Sequence, residues 1–157
     1  MQAIVCVSAN WGIGRDNELL FHIKPDLQRF RALTLGKTIV MGRRTLESFP
    51  GSKPLPKRNN IVLSTTLAPR EDVTVVRSIE ELLPLCDEDA FLCGGEQVYR
   101  ALLPYCTRVL VTKVDSTPEA DAYFPDLDAD GAWRVESMSE EQEADGLRFR
   151  YIDYVKA

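Results

Sequence analysis

The stretch Ala90-Phe91-Leu92-Cys93-Gly94-Gly95-Glu96-Gln97-Val98-Tyr99-Arg100-Ala101-Leu102-Leu103 changes from one kind of secondary structure to another with no connecting loop. Ala90–Cys93 is a short continuous apolar run, as expected of a strand inside a sheet. Gly94-Gly95 interrupts it, and E-Q-V-Y-R-A-L-L resumes at helical spacing. A strand that feeds straight into a helix is the building unit of a parallel α/β sheet. The glycine pair at the junction can bring backbone N–H groups and a helix dipole to a phosphate, or can simply make a tight turn. It is not the G-x-G-x-x-G dinucleotide fingerprint, so the segment alone leaves both readings open.

Outward from this stretch the same alternation recurs. Ala3–Ser8 reads as a strand buried on both faces, and Asn10–Asn17 (N-W-G-I-G-R-D-N) as a loop. A helix follows from Pro25 to Gly36. Thr38–Met41 is a second strand, ending in Gly42-Arg43-Arg44-Thr45, where Thr45 can cap a short helix. Beyond a Pro- and Lys-rich surface loop, G-S-K-P-L-P-K-R-N, come strands at Asn60–Ser64 and Val73–Val76. Ser78-Ile79-Glu80-Glu81 fits a capping box. Arg108–Val114 is another strand. Trp133–Ser139 and Leu147–Val155, separated by E-E-Q-E-A-D-G, read as an antiparallel hairpin. The pattern predicts an α/β fold: a central, mostly parallel twisted sheet of about eight strands, an antiparallel C-terminal hairpin edge, and four main helices flanking both faces. With no internal repeat or linker, residues 1–157 are expected to form a single domain.

Composition narrows the function. At 45% hydrophobic and 27% charged the chain is ordinary for a soluble globular protein, and its net charge of −5 gives no reason to expect nucleic acid or an anionic membrane as partner. No apolar run approaches the roughly 20 residues that span a bilayer, and the N-terminus lacks the features of a secretory signal. Cys6, Cys86, Cys93 and Cys106 show no metal-binding spacing and read as buried reduced thiols, so the expected compartment is the cytoplasm. His22 is the only histidine, which rules out histidine-based metal clusters.

In the helix after the first loop, Leu27, Phe30 and Leu33 make one apolar stripe, Pro25 suits its first position and Gly36 its C-terminal stop. Asp26 projects between Phe30 and Leu33, apart from Gln28, Arg29 and Arg31. Such an acid either answers the helix dipole or binds a ligand, and the helix alone does not choose.

In a parallel sheet ligands bind beyond the carboxyl ends of the strands. The residues expected there are the Asn10 loop, Gly42–Thr45, Ser64-Thr65, Arg77, Gly94-Gly95 and Thr112. Three arginines and hydroxyl groups gathered at one edge of an acidic protein point to phosphate recognition. A ribose 2′-OH would call for an acidic partner; a basic set favours the 2′-phosphate of NADP. The cleft containing Asp26, Leu27, Phe30 and Phe21 would suit a flat, amino-bearing nitrogen heterocycle paired to the carboxylate by two parallel hydrogen bonds. Arg58 could fork onto a substrate carboxylate at its mouth.

Taken in order, G-I-G-R-D-N, P-D-L-Q-R-F, M-G-R-R-T-L-E-S, P-L-P-K-R-N, the turn from Gly94 to Tyr99, V-T-K-V-D and D-A-Y-F-P make a chain that resembles the dihydrofolate reductases of the monomeric, chromosomal bacterial type, from first strand to last hairpin. The resemblance implies NADPH-dependent reduction of 7,8-dihydrofolate to tetrahydrofolate, by hydride transfer to C6 with water protonating N5, in support of one-carbon metabolism and thymidylate, purine and glycine synthesis. It also implies sensitivity to antifolate inhibitors and a cytoplasmic monomer.

By the same resemblance the catalytic residue is Asp26, an acidic side chain that bonds the pterin 2-amino group and N3 and so orients and polarises the ring. The backbone of Ile4 faces the pterin, and Thr112 bonds to the site indirectly. Phe21, Leu27, Phe30, Phe49 and Leu55 wall the pterin and aminobenzoyl ring, and Arg58 meets the glutamate α-carboxylate. The backbones of Cys6 and Ile13 hold the nicotinamide carboxamide, under a closing loop of Gly12, Ile13, Gly14, Arg15, Asp16, Asn17 and Glu18. Arg43, Arg44, Thr45, Ser64, Thr65 and Arg77 contact the pyrophosphate and 2′-phosphate. Gly94, Gly95, Glu96, Gln97, Val98 and Tyr99 form the second phosphate turn, with a cis Gly-Gly bond.

Phe21 stands where the family usually has Trp; lacking an N–H donor, it is expected to alter the water network near Asp26. Two alternatives share the cofactor edge. A reductase of a ribosylated pyrimidine would lack the Asp26–Phe30 pairing, and a non-catalytic NADPH-binding module would have no use for Arg58.

Overall fold

The computed structural model describes residues 1–157. Its elements in chain order are β1 (Gln2–Val7), β2 (Gly12–Arg15), β3 (Glu18–Leu19), α1 (Lys24–Thr34), β4 (Thr38–Gly42), α2 (Arg43–Ser48), β5 (Asn59–Leu63), β6 (Thr74–Val76), α3 (Ile79–Leu82), β7 (Phe91–Leu92), α4 (Glu96–Leu102), β8 (Arg108–Val114), β9 (Ala122–Tyr123), β10 (Trp133–Met138), β11 (Gln142–Ala144) and β12 (Leu147–Lys156). The main sheet has the order β10-β12-β8-β1-β7-β4-β5-β6, with β11 paired to β12. From β8 to β6 the pairs are parallel, while β12 lies antiparallel to β8, β10 and β11. This is the expected mostly parallel sheet with four helices and an antiparallel C-terminal edge.

The side-chain alternation of β1 explains where a ligand can enter. Ala3, Val5 and Val7 belong to the largest buried cluster, while Ile4 and Cys6 on the opposite face are only half-buried. The expectation of a strand buried on both faces is thus corrected for β1: its second face is shared between packing and an open cleft. The same second face carries Ile39, Met41 and Val62, which cluster with Leu46 of α2 and against which Leu33, Phe49 and Leu55 pack.

Five local expectations change. Asn10–Asn17 is not simply a loop: β2 and β3 pair within and beyond it, and β9 joins them in a three-stranded antiparallel sheet. The pairing partner lies over a hundred residues away, so no local signal marks it. Helix α1 starts at Lys24, with Pro25 in its first turn rather than at its first position. Gly36 has φ of 74°, as the stop requires. Helix α2 begins at Arg43 with Gly42 in the capping position, so Thr45 lies inside the first turn and does not cap it. Within E-E-Q-E-A-D-G, the residues Gln142–Ala144 form β11, and Asp145-Gly146 (φ 55° and 78°) close the two-residue turn to β12. At α3, Ser78 Oγ accepts from the Glu81 N–H at 3.2 Å, whereas the Glu81 carboxylate reaches the Arg77 N–H, so half of the capping box forms.

Candidate active site

The face of β1 that carries Ile4 and Cys6 opens into a cleft of about 2400 Å³. Helix α1 forms one wall, and the carboxyl ends of β4, β5, β6 and β7 form the floor and the opposite wall. The cleft lies where β7 and β1 meet the strands that run outward in each direction, the position at which parallel sheets bind ligands.

On the α1 side, Leu27 and Phe30 line the cleft together with Phe49 and Leu55, and Leu27 remains 41% exposed. An apolar stripe left open like this serves a ligand rather than the core. Asp26 sits among these groups. Thr112 Oγ1 donates to Asp26 Oδ1 at 2.6 Å. Thr112 lies within β8, fully inside the sheet, rather than after the strand. Burial pushes the Asp26 carboxyl above the ordinary aspartate range; Thr112, the positive charge of Arg29 and the Cys6 thiol oppose that rise. At the mouth, Arg58 is fixed by donation from Nε to Thr34 Oγ1 (2.9 Å), from Nη1 to the Pro56 carbonyl (2.7 Å) and from Nη2 to the Arg31 carbonyl (2.9 Å).

On the far wall, Arg43, Arg44, Thr45, Ser64, Thr65 and Arg77 come together from the ends of β4, β5 and β6. Arg77 Nη1 donates to the Ser64 carbonyl at 2.9 Å, and Arg43 Nη1 to Thr66 Oγ1 at 3.1 Å. The Gly94-Gly95 peptide is cis. Gly94 has φ of 128°, a backbone conformation that side chains rarely adopt, and a Cβ there would stand 3.4 Å from both Thr45 Oγ1 and the Tyr99 ring. Several cationic and hydroxyl donors beside an exposed backbone turn fit a polyphosphate with an additional phosphate group. The loop over the cleft is tied down at three points: the Asp16 N–H donates to Asp121 Oδ2 (2.9 Å), Arg15 pairs with Glu119 (2.9 Å), and Asn17 Nδ2 donates to the Arg44 carbonyl (3.0 Å).

With this geometry in view, similarity to known proteins decides the family. The family model described as "Dihydrofolate reductase" matches residues 1–156. The chain belongs to the dihydrofolate reductase family. Its activity is the NADPH-dependent reduction of dihydrofolate. The dihydrofolate reductase of Bacillus subtilis is 37% identical over 160 residues, covering 98% of this chain and 92% of the relative. That of Mycobacterium tuberculosis is 39% identical over 160 residues, covering 98% and 97%. Among solved structures, dihydrofolate reductase from Enterococcus faecalis, complexed with NADP(H) and RAB-propyl, superposes with a TM-score of 0.88 at 30% identity, covering 99% of this chain and 95% of that one.

The reductase brings nearly all of the sequence-derived site residues to one cleft, but not Gly12 or Phe21. Gly12 is a packing residue: a side chain there would stand 2.8 Å from Ser8 Oγ and 2.9 Å from the Ala120 side chain. Phe21 is buried in a small cluster with Ile23, Val114 and Phe149, against which Cys6 packs. It supports the Asp26 end of the cleft from behind and does not wall it. Glu96 lines the cleft, but its carboxylate is engaged by the Tyr123 N–H at 2.7 Å. Sequence reasoning missed Cys93, Thr66 and Asp121, all of which line the cleft. Thr66 follows the Ser64-Thr65 pair and could have been added to it. Asp121 comes from the segment before β9, whose partner strand is not visible locally. Arg29 lies apart from Asp26 on the helical wheel, yet its positive charge acts on the Asp26 carboxyl.

Proposed function

We propose that ionised Asp26 receives the 2-amino group and N3–H of the pterin through two parallel hydrogen bonds, orienting C6 of dihydrofolate for reduction while water protonates N5. The observation that carries this reading is one carboxylate, anchored by Thr112 at 2.6 Å, among apolar side chains of a large cleft. Bidentate pairing of a planar donor edge with a carboxylate is strong and directional, and it grows stronger where water is excluded. Thr112 holds one oxygen in place and lowers the cost of keeping the charge. Tyr99 Oη donates to the Ile4 carbonyl at 2.7 Å, which fixes the backbone at the cleft's inner end. Leu27, Phe30, Phe49 and Leu55 supply the apolar walls, and the fixed guanidinium of Arg58 awaits the glutamate α-carboxylate.

NADPH supplies the hydride when bound. Arg43, Arg44, Thr45, Ser64, Thr65 and Arg77, with the Gly94-Gly95 turn, would hold its phosphates, and the backbones of Cys6 and Ile13 its carboxamide. The tied segment from Gly14 to Glu18 would cover the reacting atoms and exclude water. The chain works as one domain and as a monomer in the cytoplasm, and antifolate diaminopyrimidines compete at Asp26. No helix is long and apolar enough to cross a membrane.

The deciding experiment follows NADPH absorbance with dihydrofolate for Asp26→Asn. The variant is expected to fold and bind NADPH yet to lose at least ~100-fold in turnover near neutral pH, roughly what two hydrogen bonds to a charged group are worth. Unchanged turnover would remove Asp26 from the mechanism.

A further inference from the structure

Three residues on neighbouring strands form a row beneath helix α1. Cys6 on β1 is in register with Thr112 on β8, and Thr112 is in register with Tyr151 on β12. Helix α1 crosses this row. Asp26 bonds to the middle member, and three residues later the Arg29 guanidinium carbon lies 4.1 Å from the centre of the Tyr151 ring. The match has a simple origin: three residues of helix rise about 4.5 Å, close to the ~4.8 Å between paired strands. The Tyr151 ring is itself fixed. It packs edge-on against Phe149 at 5.5 Å, its N–H donates to Ser139 Oγ, and its carbonyl accepts from the Ser139 N–H. Neither Arg29 nor Tyr151 lines the cleft, and both are half-buried, so the pair lies beside Asp26 but outside the ligand cavity.

We propose that Arg29, seated on the Tyr151 ring, is a positioning residue that keeps a positive charge beside Asp26 and thereby favours its ionised, ligand-binding form. Stacking is the means of holding it: a guanidinium over an aromatic face loses little hydration and needs no carboxylate to stay in place. Had Arg29 closed directly onto Asp26, it would have occupied the oxygens a pterin needs. Seated one strand away, it lends its field and leaves the acceptor free. The groups facing Asp26 are Cys6 from β1, Thr112 from β8, Tyr151 from β12 and Arg29 from α1 itself. Arg29 is the one positive charge in that set.

The catalytic consequence rests on reading Asp26 as the pterin partner; the electrostatic effect does not. The test titrates the Asp26 carboxyl carbon by NMR, with ¹³C-labelled aspartate in the ligand-free protein, for wild type, Arg29→Lys, Arg29→Gln and Tyr151→Leu. Glutamine keeps helix propensity, so α1 should form. Arg29→Gln is expected to raise the midpoint by about half to one pH unit, a screened version of the shift an adjacent opposite charge produces. Arg29→Lys should stay close to wild type, and Tyr151→Leu should move the same way as Arg29→Gln but less far. An unmoved midpoint in Arg29→Gln, or an equal rise in Arg29→Lys, overturns the proposal; an unmoved Tyr151→Leu removes the ring from it. Binding of a cationic 2,4-diaminopyrimidine across the same pH range is the second readout. Its acid limb should move upward with the carboxyl, by linkage. A carboxyl that moves while the binding limb stays put overturns the Asp26 reading and leaves the Arg29 effect standing.

Discussion

Burial raises the proton affinity of Asp26, so the folded protein holds that proton more tightly than the unfolded chain does. For a group shifted in this direction, the stabilising contribution is complete below the ordinary aspartate value and is lost as pH rises through the higher folded value. At neutral pH the ionised carboxylate is therefore carried at a cost to stability. Asp26→Asn removes the charge and keeps an acceptor for Thr112. It is expected to raise the Tm of the ligand-free protein at pH 7 by about 2–4 °C, the shift that ~1 kcal/mol produces in a domain of this size. The gain should shrink in acid, as the wild-type carboxyl takes up its proton. Melting both proteins across pH checks this. The cysteines depart from the expectation of uniformly buried thiols. Cys106 is buried, but Cys6, Cys86 and Cys93 are half-buried, and Cys6 and Cys93 face the cleft. All four are free, and Cys93 is held protonated by burial, with its thiol pushed up to about 12.

Helix α1 presents Asp26 from its first turn, yet Ile23 at its N-terminus offers no capping side chain. The missing acceptor comes from elsewhere: Asp145 Oδ2, in the two-residue turn between β11 and β12, accepts from the Lys24 N–H at 3.0 Å. An edge hairpin thus closes the end of the helix that positions the carboxylate. Asp145→Ala is expected to cost about 1 kcal/mol, the usual worth of a cap, and to raise the KM for dihydrofolate more than that for NADPH. Asp145→Asn, which keeps an acceptor but not the charge, should fall between the two. Chemical denaturation and steady-state kinetics on both variants test the pair of effects. Equal changes in both KM values would show that the turn supports the whole sheet rather than this helix.

Across the whole molecule, the basic wall is assembled from the ends of three parallel strands, so its selectivity depends on β4, β5 and β6 staying in register. If that wall reads the 2′-phosphate, the double variant Arg44→Ala, Arg77→Ala should weaken NADPH by tenfold or more, roughly one charge-assisted hydrogen bond, while leaving NADH nearly unchanged. Thermal shift with each cofactor gives the same answer independently: saturating NADPH at about 100 times its Kd stabilises by ~2.7 kcal/mol, and the variant should need far more NADPH to reach it. Equal losses for both cofactors would reassign the arginines to the pyrophosphate.

Much of this architecture is written in local patterns. Apolar runs ending in glycine, followed by helical spacing, specify β4, β7 and their helices, because strand and helix periods are properties of a few consecutive residues. The order and spacing of the motifs around Asp26, Arg44 and Gly94 already resemble one family, and the family model that matches residues 1–156 agrees. What the chain does not write locally is which distant groups meet. Pairing of β2 with β9, capping of α1 by Asp145, and the stacking of Arg29 on Tyr151 each join residues about a hundred or more positions apart. Withdrawal of Phe21 and Gly12 from the cleft likewise depends on the packing around them, with Val114, Phe149 and Ala120 filling the space behind. Such contacts arise when the sheet closes, and the strands' register, not any residue's own preference, sets which side chains share a row.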